Sequence, residues 1–523
     1  MLRQHVVRVA SGLGFLALLA PAAPAQSGAL DIDLVGGAYD QVTTIQLQGT
    51  PGRKYLLLVS VVKSPGANFI PNQSVDVGLE FLGLSFGLPG FIGVFSGGGQ
   101  SAAALIVPHL PELDTFPLYL QLFQTGVTGN KLVDKSVVQT LSMQAGTTWK
   151  SPAVGTDYTV ARSTHTVTLL PGEKVLTLGG GSDGITNSYG LATGEMYEPS
   201  DESLALLPVT MLQARTGHSA TLLDDGRVLV VGGAEDVQGE PTNTAEVYDP
   251  ASGLFSPVGS LVNGPRALHR ASKLDDGRVL ITGGTDNYID PTSIITGGYR
   301  STEIFNPATN TFSAGPNMTK QRLGQTVSRL PNGDLLVAGG YTVTTIFGFE
   351  IPVISDDAEI YDWQSGLPGS FGNVKGMYHQ RMGHGAAVLA DGNVLLAGGA
   401  NGSSFLDPQP ELTWEVYDVA AQDFVAQGAL NDGRILPTVL RLLDGRVLIA
   451  AGAVGSLTTP LPVATAEIWD PATQASSPTG SLLQGRAGHE SLLLPDGTVL
   501  VSGGGKSDGV FTDGLTSLEI YQP

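Results

Sequence analysis

From residue 147 onward, short apolar runs alternate with turn residues, and the same arrangement returns seven times. In the second copy, 216–223 reads as a strand, Asp224-Asp225-Gly226 as a tight turn, and 227–231 as a second strand closed by Gly232-Gly233. After a loop, 245–248 reads as a third strand, Asp249-Pro250 as a turn, and 254–258 as a fourth. Asp-Gly or Asn-Gly between two apolar runs is a strong hairpin signal, because Gly accepts the positive φ such a turn demands. It returns at Asp276-Gly277, Asn332-Gly333, Asp391-Gly392, Asp444-Gly445 and Asp496-Gly497, with Pro171-Gly172 in the first copy.

Two further markers keep register with these runs. An Arg precedes the Gly-Gly pair by 17 residues in every copy: Arg162, Arg215, Arg266, Arg322, Arg381, Arg434 and Arg486. Only the sixth copy alters the pair, to Ala451-Gly452. The third run always carries Glu, an apolar residue and an aromatic, at Glu195, Glu246, Glu303, Glu359, Glu415, Glu467 and Glu519. Alternate strand residues share a face, so each Glu points the same way as its aromatic, which is placed to pack between neighbouring sheets. A fixed period near 53 residues marks a repeat architecture.

Four strands, Gly-Gly after the second and an aromatic in the third resemble the Kelch repeat, and more closely the β-propeller of the galactose oxidase-like superfamily. The resemblance covers 147–523. It implies an all-β fold: a seven-bladed Kelch-type β-propeller of four-stranded blades. The last copy stops after its third strand at Tyr521, while 147–152 around Trp149 looks like a fourth strand ahead of the first Arg. That segment is expected to complete the last blade, which removes exposed sheet edges.

Ahead of the repeats, 28–144 mixes β-rich runs with turns such as Thr50-Pro51-Gly52 and Ser64-Pro65-Gly66, the pattern of a small β-sandwich-like domain. Phe69, Phe81, Phe86, Phe91 and Phe95 are expected to fill its core. Residues 1–25 read as a secretory signal: a basic start at Arg3, His5 and Arg8, an apolar stretch, and Ala23-Pro24-Ala25 before Gln26. The apolar stretch is shorter than the roughly 20 residues a bilayer span needs. The expected product is secreted, periplasmic or at the cell surface, with no membrane span after signal removal.

Composition then excludes several functions. The formal net charge of -21 argues against a grip on nucleic acid or an anionic membrane surface. The chain has no Cys. Disulfides, thiolate metal sites and a Cys nucleophile are out. The copper-radical cofactor implied by the galactose oxidase resemblance, a Tyr joined to a Cys, is also out, so no cofactor is expected. There is no Ser-Asp-x-Gly-x-Thr-Trp box and no His-Glu-x-x-His.

Spacing separates a constant face from a variable one. The distance from the second Gly to the Glu runs from 13 residues (Gly233 to Glu246) to 19 (Gly284 to Glu303). Variable loops on a rigid scaffold are where binding concentrates, so the face opposite the Asp-Gly hairpins is the expected working face. Candidate binding residues there are Tyr288, Tyr299, Phe347, Phe349 and Glu350; the run 346–351 reads either as a binding lip or as a short hairpin packed on its neighbour. Asp183, Asp508 and Asp513 read as solvated turns, without the spacing of an EF-hand Ca²⁺ loop.

The Arg and Glu of each copy flank the same Gly-Gly end and are expected to meet as a bidentate structural pair. His165, His218, His269, His384 and His489 follow their Arg by three residues, with Gln325 and Pro437 in the other copies. Spread among blades, they suit hydrogen bonds to the neighbouring blade better than a metal ring. The expected role is a monomeric, non-catalytic binding protein for a protein or polysaccharide ligand. The alternatives are a carbohydrate-active enzyme of epimerase or lyase type and a structural surface-layer or adhesion component.

Overall fold

The structure is a computed structural model. It describes residues 31–35, 42–48, 54–60, 63–70, 73–77, 92–94, 100–106, 118–125, 132–135, 139–141, 148–152 and 156–523, less 153–155, 183–188, 236–240, 287–297, 347–348, 367, 403–408, 456–460 and 507–512. The signal segment therefore lies outside the described residues, as do the side chains of the five phenylalanines assigned to the first core. The chain divides into two compact units, Met1–Thr148 and Trp149–Pro523. In the first unit, Asp31–Val35, Val42–Gln48 and Gln100–Ile106 form one antiparallel sheet, and Lys54–Ser60 pairs with Leu118–Thr125 and Ile92–Val94 in another.

The second unit is a seven-bladed β-propeller. Blade 2 shows the plan, with Ser219–Leu222 innermost, then Val228–Val231, Ala245–Asp249 and Leu254–Pro257 outermost, all antiparallel. The same four-strand order holds in blades 1 to 6. In blade 7 the strands Glu490–Leu493, Val499–Ser502 and Leu518–Gln522 are completed by Thr148–Lys150 from the other end of the propeller. Trp149 is buried there against Tyr521, with ring centroids 5.1 Å apart.

The second strand of every blade is buried along its whole length, as in Val228–Val231 and Val447–Ala450. Both of its faces meet a neighbouring blade, which is why these runs are mostly apolar rather than alternating, with Thr177, Thr282 and Ser502 the polar exceptions. Each fully buried Val or Leu contributes about 1.5–3 kcal/mol. The third-strand aromatic stacks on an aromatic of the fourth strand in blades 2, 3, 4 and 5, as in Tyr248 with Phe255 at 4.9 Å.

One bond repeats at every seam between blades. The N–H of the second Gly donates to the carbonyl of the next blade's Arg, from Gly180 to Arg215 at 2.8 Å through to Gly504 with Arg162 at 2.7 Å, which closes the ring. The preceding position has φ between 54° and 64° in all seven blades, in the left-handed region. A Cβ there would run into the next blade's Arg carbonyl. Ala451, at φ 56°, is the exception that carries one. A non-Gly residue in this region is strained by about 1–2 kcal/mol, partly offset by the flexibility Gly adds to the unfolded chain. Ala451→Gly is therefore expected to raise stability by up to about 1 kcal/mol in chemical denaturation, and a destabilised variant would contradict the strain.

Candidate functional site

The recurring Arg and Glu meet in every blade and are sealed from solvent. All seven Arg and all seven Glu are buried to 1% exposure or less. Their closest N–O distances run from 2.5 Å (Arg486 with Glu519) to 3.2 Å (Arg266 with Glu303). The pairing is not bidentate. In blade 5, Arg381 gives one N–H to Glu415 at 2.6 Å, and spends others on the Gly398 carbonyl, the Thr413 carbonyl and the Thr413 hydroxyl. The second Glu oxygen is taken by backbone: Tyr378 N–H donates to Glu415 at 2.7 Å, and Leu212, Val262, Thr319, Asn431 and Leu483 do the same in their blades. Each pair thus ties the segment entering a blade to that blade's second and third strands. With no exposure, these side chains cannot touch a ligand.

The His row forms a second seam. His218 shares a hydrogen bond with the Thr166 hydroxyl at 3.1 Å, His269 with Ser219 at 2.8 Å, His384 with Thr326 at 2.8 Å and His489 with Thr438 at 2.7 Å. Each bond crosses from one blade to the hydroxyl that opens the previous blade's innermost strand. Burial, with neighbouring Arg cations, holds these rings far below the usual imidazole range; His218 and His489 are held to about 3. They are neutral at any physiological pH.

Three seams depart from this rule. Between blades 5 and 6, hydroxyl and ring are lost together, as Gly385 and Pro437. Between blades 3 and 4, Arg270 stands where the hydroxyl would be; Gln325 replaces His, donates to the Thr282 carbonyl, and accepts from Arg270 Nε at 3.3 Å. Between blades 7 and 1, Glu490 takes the hydroxyl position, and His165 turns to the Ser502 hydroxyl at 2.9 Å. Arg270 and Glu490 were missed in the sequence because they sit one position beyond the His row. Aligning the copies at that position, which reads Thr, Ser, Arg, Thr, Gly, Thr, Glu, would have found them.

On the variable-loop face, the loops of blades 4 to 7 open as two-stranded ladders, such as Tyr341–Ile346 with Phe349–Ile354 and Gly505–Lys506 with Asp513–Gly514. Of the segment assigned as a lip or hairpin, Ile346 and Phe349–Ile351 belong to the two strands of the first of these ladders, and 347–348 lie outside the described residues. Tyr288, Phe347, Asp183 and Asp508 lie outside the described residues, as do the side chains of Phe349 and Glu350. Tyr299 is half-buried, its ring 4.4 Å from the Arg266 guanidinium carbon, so it also braces the scaffold. Exposed apolar side chains collect on this face: Tyr189, Leu412 and Leu461 in the loops, and Leu212, Val262 and Leu483 on the segments entering blades. At the opposite turns, the large exposed apolar residues among the described residues are Leu254 and Leu443.

Residues 215–262, the whole of blade 2 with its flanks, match the Kelch motif. The propeller is of the Kelch type. No curated protein matches the chain. Among solved structures, the chain is similar to a fungal alcohol oxidase of the AA5 family in complex with copper, with 20% identity, a TM-score of 0.54, and coverage of 72% of this chain and 76% of that one. That likeness concerns the fold alone. This Kelch propeller has no Cys, so no Cys-containing copper site can form, and among its described residues no three His, Asp or Glu converge as a metal site.

Proposed function

We propose that this protein is an exported, non-catalytic interaction protein whose variable-loop face docks a partner protein. One observation carries the reading: large apolar side chains are exposed more often on that face than at the opposite turns, where Leu254 and Leu443 are exposed. Clustered exposed apolar groups ringed by polar loops mark interaction surfaces. Leu and Val with a Tyr suit a protein interface core, and Kelch propellers serve as protein-interaction scaffolds. The charged ring does not compete for this role, because it is wholly spent on the scaffold.

The test is capture of polypeptides from the secreted fraction by the purified chain, 27–523. A Tyr189→Ser/Leu461→Ser variant is expected to lose at least about tenfold in retained partner, about 1.4 kcal/mol, while Leu443→Ser retains it and all three proteins melt alike. Equal retention by both variants would reject the loop face. A specific hit on a glycan array, with no protein captured, would move the reading to a polysaccharide ligand.

A further inference from the structure

The innermost strands of the seven blades pack side by side in a closed ring, so they wall an axial channel. The first residue of each such strand stands at the loop-face end of that channel, beside the Gly-Gly pair. Four of these residues are hydroxyl-bearing and one is Gly; the other two are Arg270 in blade 3 and Glu490 in blade 7. Arg270 is solvent-exposed and Glu490 half-buried. On an innermost strand, exposure means contact with the channel or its mouth.

Neither charge is neutralised within the scaffold. Among the described residues, Arg270 makes no ion pair and uses only Nε, on the Gln325 carbonyl, and the Glu490 carboxylate has no hydrogen-bond partner. Three blades separate them one way round the ring and two the other, so they stand on opposing sides. They still feel each other across the gap. Burial pushes the Glu490 carboxyl up to about 7, and Arg270 is the charge that opposes the rise. Burial and the Arg of its own blade hold His269 and His384 low, and Arg270 adds to the effect. The hydroxyls of Thr166, Ser219, Thr326 and Thr438 cannot intervene, being already engaged with His rings.

The half-buried Glu490 carboxylate has no donor to recover its lost solvation, and the exposed Arg270 keeps a free N–H fork. A molecule long enough to touch both would recover it, because the fork matches a carboxylate in geometry. We propose that the loop-face mouth of the axial channel binds a small dipolar organic molecule, with its carboxylate on Arg270 and a hydrogen-bond donor at its far end on Glu490. This site is independent of the protein-docking surface on the outer loops.

A series of ω-amino acids of rising chain length, titrated calorimetrically into the purified chain at pH 8, acts as a ruler for the gap. Affinity is expected to peak at one length. Arg270→Gln and Glu490→Gln should each weaken that best ligand at least about tenfold, the loss of one charge-assisted hydrogen bond. A simple alkyl carboxylate should respond to Arg270→Gln alone. If Arg270→Gln fails to fold, Arg270→Lys serves, since it keeps the charge and loses the fork. Matching ω-hydroxy acids show whether the donor is an ammonium or a hydroxyl, and tighter binding by either series than by the alkyl carboxylate supports the site. Binding that is flat across length, absent throughout, or indifferent to Glu490→Gln would overturn it.

Discussion

Replacing Arg381 by Ala is expected to destabilise the propeller by about 3–5 kcal/mol, the cost of leaving a buried charge without its partner. The substitution strips Glu415 of its 2.6 Å ion pair while the carboxylate stays at full burial. It also frees the Gly398 and Thr413 carbonyls that the guanidinium had satisfied. Two backbone N–H groups, from Tyr378 and His379, and the His379 ring at 3.3 Å remain on Glu415, but the guanidinium charge is gone. Chemical denaturation of wild type and variant measures the effect. Removing both partners, as Arg381→Met/Glu415→Met, should recover part of the loss, because buried ion pairs contribute little beyond their apolar replacements. A loss below about 1 kcal/mol for Arg381→Ala, with ligand binding abolished, would instead make the Arg ring functional.

Mild acid is expected to weaken the fold in a window where most carboxylates are still ionised. Four of the five seam histidines are buried and His489 is half-buried; their folded-state values lie well below the ordinary 6.5, about 3 for His218 and His489. A depressed value means that the fold prefers the neutral ring. The stability this gives is fully present above 6.5 and is lost as pH falls from 6.5 towards 3. Each unit of pH in that range costs about 1.4 kcal/mol per histidine. Several rings titrating together approach the whole stability of an ordinary domain, about 5–15 kcal/mol. Glu490, Glu303 and Asp334 act in the opposite sense, since burial raises their values and so favours the fold at low pH, but they are fewer than the histidines.

Denaturation midpoints at pH 7.5 and 5.5 make the comparison, and an unchanged midpoint would contradict the argument. Blade 4 supplies the control, because Gln325 already fills the His position without a titrating ring. His489→Gln should therefore flatten the pH dependence while leaving the neutral-pH fold in place.

The propeller was legible in the sequence because its signals are local. A Gly-Gly that needs positive φ, an Asp-Gly hairpin at constant distance from an Arg, and a Glu two residues before an aromatic are short-range requirements met anew in each copy. Their number is the number of blades. The candidate loop residues were less legible. Loop length says that a segment departs from the scaffold, but not which of its side chains end in solvent, and Tyr299 proved to lean on Arg266.

What only the tertiary structure decided follows from closing the ring. The sequence by itself placed seven Arg and seven Glu at the same end of each sheet. Closure sealed them to 1% exposure or less and gave the second Glu oxygen to backbone, because the entering segment folds over that end. Closure also put Arg270 and Glu490, 220 residues apart, at the mouth of one channel. Position within a repeat is written in the chain, whereas the partner across the axis is set by how many blades stand between, and that exists only once the ring is shut.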